Sequence, residues 1–173
     1  QGFDLSTCNG NNGPGSKHYG SITVARTMTD RAVKFIDENK DKPFFLYVAH
    51  WDVHGPHRAL KEEVDKYKKK SQGWDNATNE KPNPVYAAMI TAVDESVGRI
   101  RGKLKEIGLD KNTIFIFSSD NGGTPVTTME PLRGAKGALF EGGIRVSTCV
   151  TWPGVIKPGS SCDTPLTSVD LLP

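Results

Sequence analysis

The strongest constraint on how this chain can fold is the succession in its second half: a long amphipathic stretch, a glycine, then a short β-branched and aromatic run. From Pro84 to Ile107, apolar residues recur at Val85, Met89, Val93, Val97, Ile100, Leu104 and Ile107, which predicts one helix with one buried stripe. Pro84 suits the first helical turn, and Gly108 suits the stop. Thr113-Ile114-Phe115-Ile116-Phe117 then reads as a buried strand, and Ser118-Ser119-Asp120-Asn121-Gly122-Gly123 stands where that strand should end. A second apolar run over 145–152 and a Pro153-Gly154 turn complete a predicted β-α-β pattern in an α/β domain. In open α/β sheets the ends of the strands are where ligands bind.

The first half is organised more loosely. Residues 1–20 are rich in Gly, Asn and Ser and read as an irregular surface loop. From Thr23 on, Val24, Met28, Ala32, Phe35 and Ile36 follow helical spacing until Asp41-Lys42-Pro43 forces a turn. Phe44 to Ala49 reads as a first buried strand. The polar loop 50–84 carries one short helix near Glu62 to Lys69, and Lys66-Tyr67-Lys68-Lys69-Lys70 reads as its solvated end. Near the C-terminus, Thr167 or Ser168 could cap a helix through Val169-Asp170-Leu171-Leu172, which stops at Pro173 when barely begun. Both ends read as cut in mid-fold, so the expectation is a piece of a longer protein.

Composition excludes some partners. The 173 residues carry a net charge of only +2 and no basic stripe interleaved with aromatics, so there is no argument for nucleic acid. No run approaches the roughly 20 apolar residues of a membrane span, and the N-terminus lacks the succession of a signal peptide. Cys8, Cys149 and Cys162 have no Cys-x-x-Cys spacing; Cys149, in an apolar run, is expected to be a core thiol, and a Cys8–Cys162 bridge stays open. Asn76-Ala77-Thr78 matches a glycosylation acceptor, a pattern that is common by chance.

Three groups of residues carry chemistry. Asp120 and Asn121 offer an anionic and a neutral oxygen side by side, as a hard cation such as Ca²⁺ or Mg²⁺ requires, although Asp-Asn-Gly is equally a strand-terminating turn. Lys136 lies among Gly134, Gly137, Gly142 and Gly143, so it either reaches an oxyanion held against exposed backbone N–H groups or is a solvated loop lysine. Arg133, Glu141 and Arg145 read as loop-bracing ion pairs, with a second anion contact from Arg133 left open. Finally His50, His54 and His57 crowd Ala49-His50-Trp51-Asp52-Val53-His54-Gly55-Pro56-His57, where metal binding, proton donation and structural hydrogen bonding all remain open. The Trp, Gly and Pro between them argue for rings that point separately.

Read in order, these pieces resemble the type I sulfatases, in the arylsulfatase-like branch of the alkaline phosphatase superfamily. The blocks are Phe44-Phe45-Leu46-Tyr47-Val48-Ala49-His50 with Val53-His54-Gly55-Pro56, then Val93-Asp94-Glu95-Ser96-Val97-Gly98, then Ser119-Asp120-Asn121-Gly122-Gly123. Pro131-Leu132-Arg133-Gly134-Ala135-Lys136-Gly137, Phe140-Glu141-Gly142-Gly143-Ile144-Arg145-Val146 and Ser168-Val169-Asp170-Leu171-Leu172-Pro173 extend the match. The resemblance implies a mixed, largely parallel β-sheet sandwiched between helices, incomplete in this chain, and hydrolysis of sulfate monoesters with Ca²⁺ and a formylglycine nucleophile made from cysteine. It assigns Asp120 and Asn121 to the Ca²⁺, Lys136 to the sulfate and bridging oxygen, and His54 to holding the sulfate and protonating the leaving group. His57 and Arg133 are further candidates for substrate contact, with Trp51, Arg58 and Trp74 suggested by residue type alone.

The departures from the family pattern are specific. None of the three cysteines stands in a Cys-x-Pro-Ser-Arg motif, the paired aspartates that complete the Ca²⁺ site are absent, and Ser147 stands where proline usually follows Arg-Val. The resemblance therefore covers 1–173 as the central part of one catalytic domain, without its nucleophile. Competing expectations are a non-catalytic sulfate- or glycan-binding protein and a phosphonate or phosphodiester hydrolase. The implied partner is a sulfated small molecule or sulfated carbohydrate, and the implied setting is exported or lysosomal. Uncovered sheet edges predict a chain that aggregates or is partly molten alone.

Overall fold

The computed structural model describes residues 23–72, 83–124 and 126–171. These divide between two compact units, Gln1–Ile107 and Gly108–Pro173. The 1–20 loop, Cys8, Trp74 and the Asn76-Ala77-Thr78 acceptor lie outside the described residues, and so does the proposed Cys8–Cys162 pairing.

The first unit is helical. Helix α1 spans Val24–Asn39, α2 spans Lys61–Ser71 and α3 spans Pro84–Glu106, and α3 packs against both of the others. The two helices expected from periodicity and the short one expected in the polar loop are all present. α3 starts where the sequence provides for it: Pro84 occupies the first turn, and the Asn83 side chain accepts a hydrogen bond from the Tyr86 N–H at 3.0 Å. Gly108 stands past its end with φ of 74°, a conformation that disfavours any side chain.

The seam between α1 and α3 is built from small residues. Ala25, Thr29, Ala32 and Ile36 of α1 meet Ala88, Met89, Ser96, Ile100 and Leu104 of α3, all buried. Small side chains let the backbones approach, and the larger Ile36, only 1% exposed, fills the space beyond them. Its burial contributes roughly 1.5–3 kcal/mol. The rims of this seam are charged: Arg99 lies 2.6 Å from Asp30, and Lys103 lies 2.9 Å from Asp37. The Lys103 hydrogen bond holds the Asp37 carboxyl below its ordinary value. α2 buries nothing outright, consistent with a solvated lysine-rich end; the Tyr67 hydroxyl ties it to Thr91 of α3 at 2.6 Å.

One expectation fails in this unit. Residues 43–50 form no strand, and Phe45 and Tyr47 are 73% and 70% exposed. The exposure still alternates along the stretch, as an extended backbone requires, but no strand pairing includes it among the described residues. Phe44 does turn inward, with its ring edge-on to Phe35 of α1 at 5.7 Å.

The second unit is a two-stranded ribbon with a folded connection. β1 spans Phe115–Ser118 and β2 spans Thr148–Thr151, paired antiparallel with Phe115 opposite Thr151 and Ser118 opposite Thr148. Both apolar runs do become strands, but the β-α-β reading is corrected, because that unit would make them parallel. The reason lies in the connection: among the described residues it carries only the short helix α4, Glu141–Ile144, and it returns to the end it left, where the Ser119 N–H donates to the Ser147 carbonyl at 3.4 Å. An antiparallel pair is compatible with a mixed sheet. Two burial expectations are also corrected. β1 is mostly exposed, with Ile116 and Phe117 each at 43%, and Cys149 is an exposed free thiol rather than a core residue. Two strands have faces but no covering layer among the described residues. The C-terminal helix is only a 3₁₀ turn, Ser168–Leu171, and its cap runs in reverse: the Asp170 carboxylate accepts from Thr167 N–H at 2.7 Å and from its hydroxyl at 3.2 Å.

Candidate functional site

In the second unit, three backbone segments interlock beyond the end of β1. Gly122 N–H donates to the Gly143 carbonyl at 2.9 Å, Gly142 N–H donates to the Arg133 carbonyl at 2.8 Å, and Lys136 N–H donates to the Gly123 carbonyl at 2.8 Å. The last bond ties the Asp120-Asn121 turn to the lysine loop. Glycine is required because the strands of this knot pass backbone to backbone: a Cβ on Gly122 would run into the Gly142 carbonyl, and one on Gly142 into the Gly134 carbonyl. Gly134 and Gly137, at φ of 86° and 88°, bracket Ala135-Lys136 and turn the chain on either side of it.

The knot leaves the chemical groups outward. Asp120 and Lys136 are exposed, and neither enters any of the ion pairs among the described residues. The Asn121 amide N–H donates to the Gly122 carbonyl at 3.1 Å, which leaves its side-chain oxygen as an acceptor, and Ser119 Oγ donates to the Asn121 carbonyl at 2.9 Å. A carboxylate and an amide oxygen side by side suit a hard cation. No group of three or more His, Cys, Asp or Glu able to hold a metal ion exists among the described residues, so Asp120 and Asn121 by themselves do not make a complete metal site. Arg133 does not form the expected ion pair. Its guanidinium stacks 3.9 Å from the Phe140 ring centre, which occupies its face and leaves its N–H edge for an anion. Glu141 and Arg145 do pair, at 3.1 Å across one turn of α4.

In the first unit, each histidine of the 50–57 segment has a different partner, as the intervening residues suggested. His50 Nε2 lies 3.0 Å from Ser96 Oγ, His54 Nδ1 lies 2.7 Å from its neighbour Gly55 carbonyl, and the His57 ring lies edge-on to Tyr86 at 5.6 Å. A carbonyl only accepts, so His54 carries its hydrogen on Nδ1 and keeps Nε2 for whatever lies outside. Trp51 supports it twice: its carbonyl accepts from His54 N–H at 2.9 Å, and its ring centre lies 4.8 Å from the imidazole. His54 is exposed and His57 is half-buried.

Sequence reasoning missed Asp52 and the polar pair Thr29 and Ser96. Burial pushes the Asp52 carboxyl up to about 6 and holds the His50 imidazole below its ordinary value. Thr29 and Ser96 were visible as polar residues on apolar helical stripes, which is the available signal for a buried hydrogen bond.

A family model described as Sulfatase matches residues 8–173. The chain belongs to the sulfatase family. It is similar to arylsulfatase J of Mus musculus, at 38% identity over 123 residues, covering 70% of this chain and 19% of that protein. A sulfatase of Formosa agariphila is 37% identical over 147 residues, covering 77% of this chain and 25% of that one. Among solved structures, that of Ps i-CgsB in complex with k-i-k-neocarrahexaose superposes at a TM-score of 0.64 and 34% identity, over 75% of this chain and 28% of that one. This sulfatase chain thus spans about a fifth to a quarter of the length of the curated relatives it matches.

Proposed function

We propose that the complete protein hydrolyses sulfate monoesters, and that this chain is the central part of its catalytic domain. The observation that carries the reading is the Lys136 N–H bond to the Gly123 carbonyl, which holds a cationic side chain on the same backbone knot as a carboxylate and an amide oxygen. That is what a site needs to bind a sulfate between a cation and an ammonium. Asp120 and Asn121 would hold Ca²⁺ together with ligands from elsewhere in the protein. When bound, Ca²⁺ would supply positive charge to the sulfate oxygens, and a formylglycine outside this chain would supply the nucleophile.

The remaining roles belong to this chain. Lys136 neutralises the sulfate and the bridging oxygen, and His54, protonated on Nε2, gives its proton to the departing alkoxide. His57 and the outer edge of Arg133 contact the substrate. That substrate is a sulfated small molecule or, as the saccharide complex of Ps i-CgsB favours, a sulfated carbohydrate. An exported or lysosomal setting follows from the same family reading.

The test is sulfate release by the complete protein from aryl sulfates and sulfated oligosaccharides, with and without a calcium chelator. Release that chelation abolishes and Ca²⁺ restores is the expected result. Binding of sulfated sugars without turnover, or preferential cleavage of phosphodiesters, would replace this reading.

A further inference from the structure

A hydrogen-bonded line runs from the core of the first unit to the histidine segment. Thr29 Oγ1 on α1 lies 2.6 Å from the Ala25 carbonyl and 2.7 Å from Ser96 Oγ on α3, and Ser96 Oγ lies 3.0 Å from His50 Nε2. Thr29 and Ser96 are each 1% exposed, so no bulk water competes for these groups.

The Thr29 hydroxyl donates to Ser96 Oγ, and Ser96 Oγ holds His50 Nε2, a bond that either neutral tautomer of the ring can make. His50 Nδ1 is buried and has no hydrogen-bond partner among the described residues, and burial favours the neutral ring. An imidazole with one nitrogen engaged and the other enclosed is held in a single orientation.

We infer that His50 is a positioning residue, which through Ser96 and Thr29 anchors the Trp51–His54 turn to the α1–α3 core and thereby aims His54 Nε2. His50 directly precedes Trp51, and Trp51 provides both the carbonyl that receives His54 N–H and the ring packed beside the His54 imidazole. Any shift of His50 is passed to His54 through those two contacts. The inference rests on the proposed role of His54 as the acid, and it adds a set of residues that do not touch substrate.

A leaving-group comparison in the complete protein tests this. An acid matters most when the leaving group is a poor one, so a misaimed His54 should be felt with alkyl or sugar sulfates and hardly with 4-nitrophenyl sulfate. For Ser96→Ala and His50→Ala we expect kcat on the poor leaving group to fall by about 10-fold with KM changed less than about twofold, and kcat on 4-nitrophenyl sulfate to fall less than about threefold. His50→Gln, whose amide can still donate to Ser96, should recover most of the loss. Equal losses on both substrates, or no rescue by glutamine, would overturn the positioning role.

A second measurement does not depend on turnover. Long-range ¹H–¹⁵N spectra of the same protein should show His50 as a neutral ring held in one tautomer, with the His54 ring signals displaced in Ser96→Ala. If the parent releases no sulfate but the spectra behave so, the acid role fails while the anchoring stands. A His50 ring that exchanges between tautomers, or unmoved His54 signals, overturns the anchoring itself.

Discussion

The two units solve the same problem, presenting polar groups to solvent from a rigid base, with different physics. In Gln1–Ile107 the rigidity comes from side chains: a seam of Ala, Thr, Ser and Ile between α1 and α3, with one internal hydrogen-bonded line leading out to the histidines. In Gly108–Pro173 it comes chiefly from backbone, through glycines whose missing side chains let three segments bond to one another. The first design tolerates small changes in side-chain volume and fails gradually. The second has no slack, because one methyl group falls on a carbonyl.

The sharpest way to break this contrast is to add that methyl. Gly142→Ala should cost about 4 kcal/mol or more, since no flexible side chain can yield, and should abolish the ordered β1–β2 ribbon as read by circular dichroism and amide exchange. A well-folded variant would show that the glycines are a convenience. Next in size, Ile36→Ala should lower stability by about 3 kcal/mol in urea titration, whereas Ile116→Ala, already 43% exposed, should lower it by less than about 1 kcal/mol. Comparable losses at the two sites would contradict a core confined to the helical seam.

For activity of the complete protein, Lys136→Ala in one unit and His54→Ala in the other should each lower turnover by at least ~10²-fold, because each removes charge stabilisation or proton donation. Near-normal rates would take that residue out of the site. A smaller effect comes from Asp52. Its carboxyl rises to about 6 on folding from an ordinary value of 3.8, so the folded chain binds the proton more tightly than the unfolded one. Stability associated with Asp52 is present below about pH 4 and is lost as pH rises through about 6. Asp52→Asn should therefore flatten that stretch of the stability profile and add about 1–2 kcal/mol at pH 7, after allowance for solvent screening. His50, held low, contributes the opposite slope, and a variant with an unchanged profile would remove Asp52 from this account. The smallest test concerns Cys149 and Cys162, both exposed: each should react with a thiol reagent in the native protein. Cys162 should react faster, its thiol being lowered by the hydrogen bond from the Thr164 side chain.

Much of this molecule was legible in one dimension. Helical periodicity located α1 and α3, since a 3.6-residue stripe records which face is buried whatever that face meets. Gly108, Asn83 and Pro84 marked the ends of α3 because capping is a local affair of a few backbone groups. The ordered blocks from Phe44 to Leu172 were enough to identify the sulfatase family, and the roles proposed for Asp120, Asn121, Lys136 and His54 rest on those same blocks.

Other matters were decided only in three dimensions. Phe44 to Ala49 has the composition of a strand, but strand identity belongs to a pair, and composition does not name a partner. The direction of β2 was set by how the glycine knot returns the chain, through bonds between residues far apart in sequence. The placement of the His50 ring depends on a hydroxyl contributed by α3, which is held in turn by one on α1. Periodicity and propensity are properties of neighbours along the chain; pairing, register and proton placement belong to neighbours in space, and folding alone determines those.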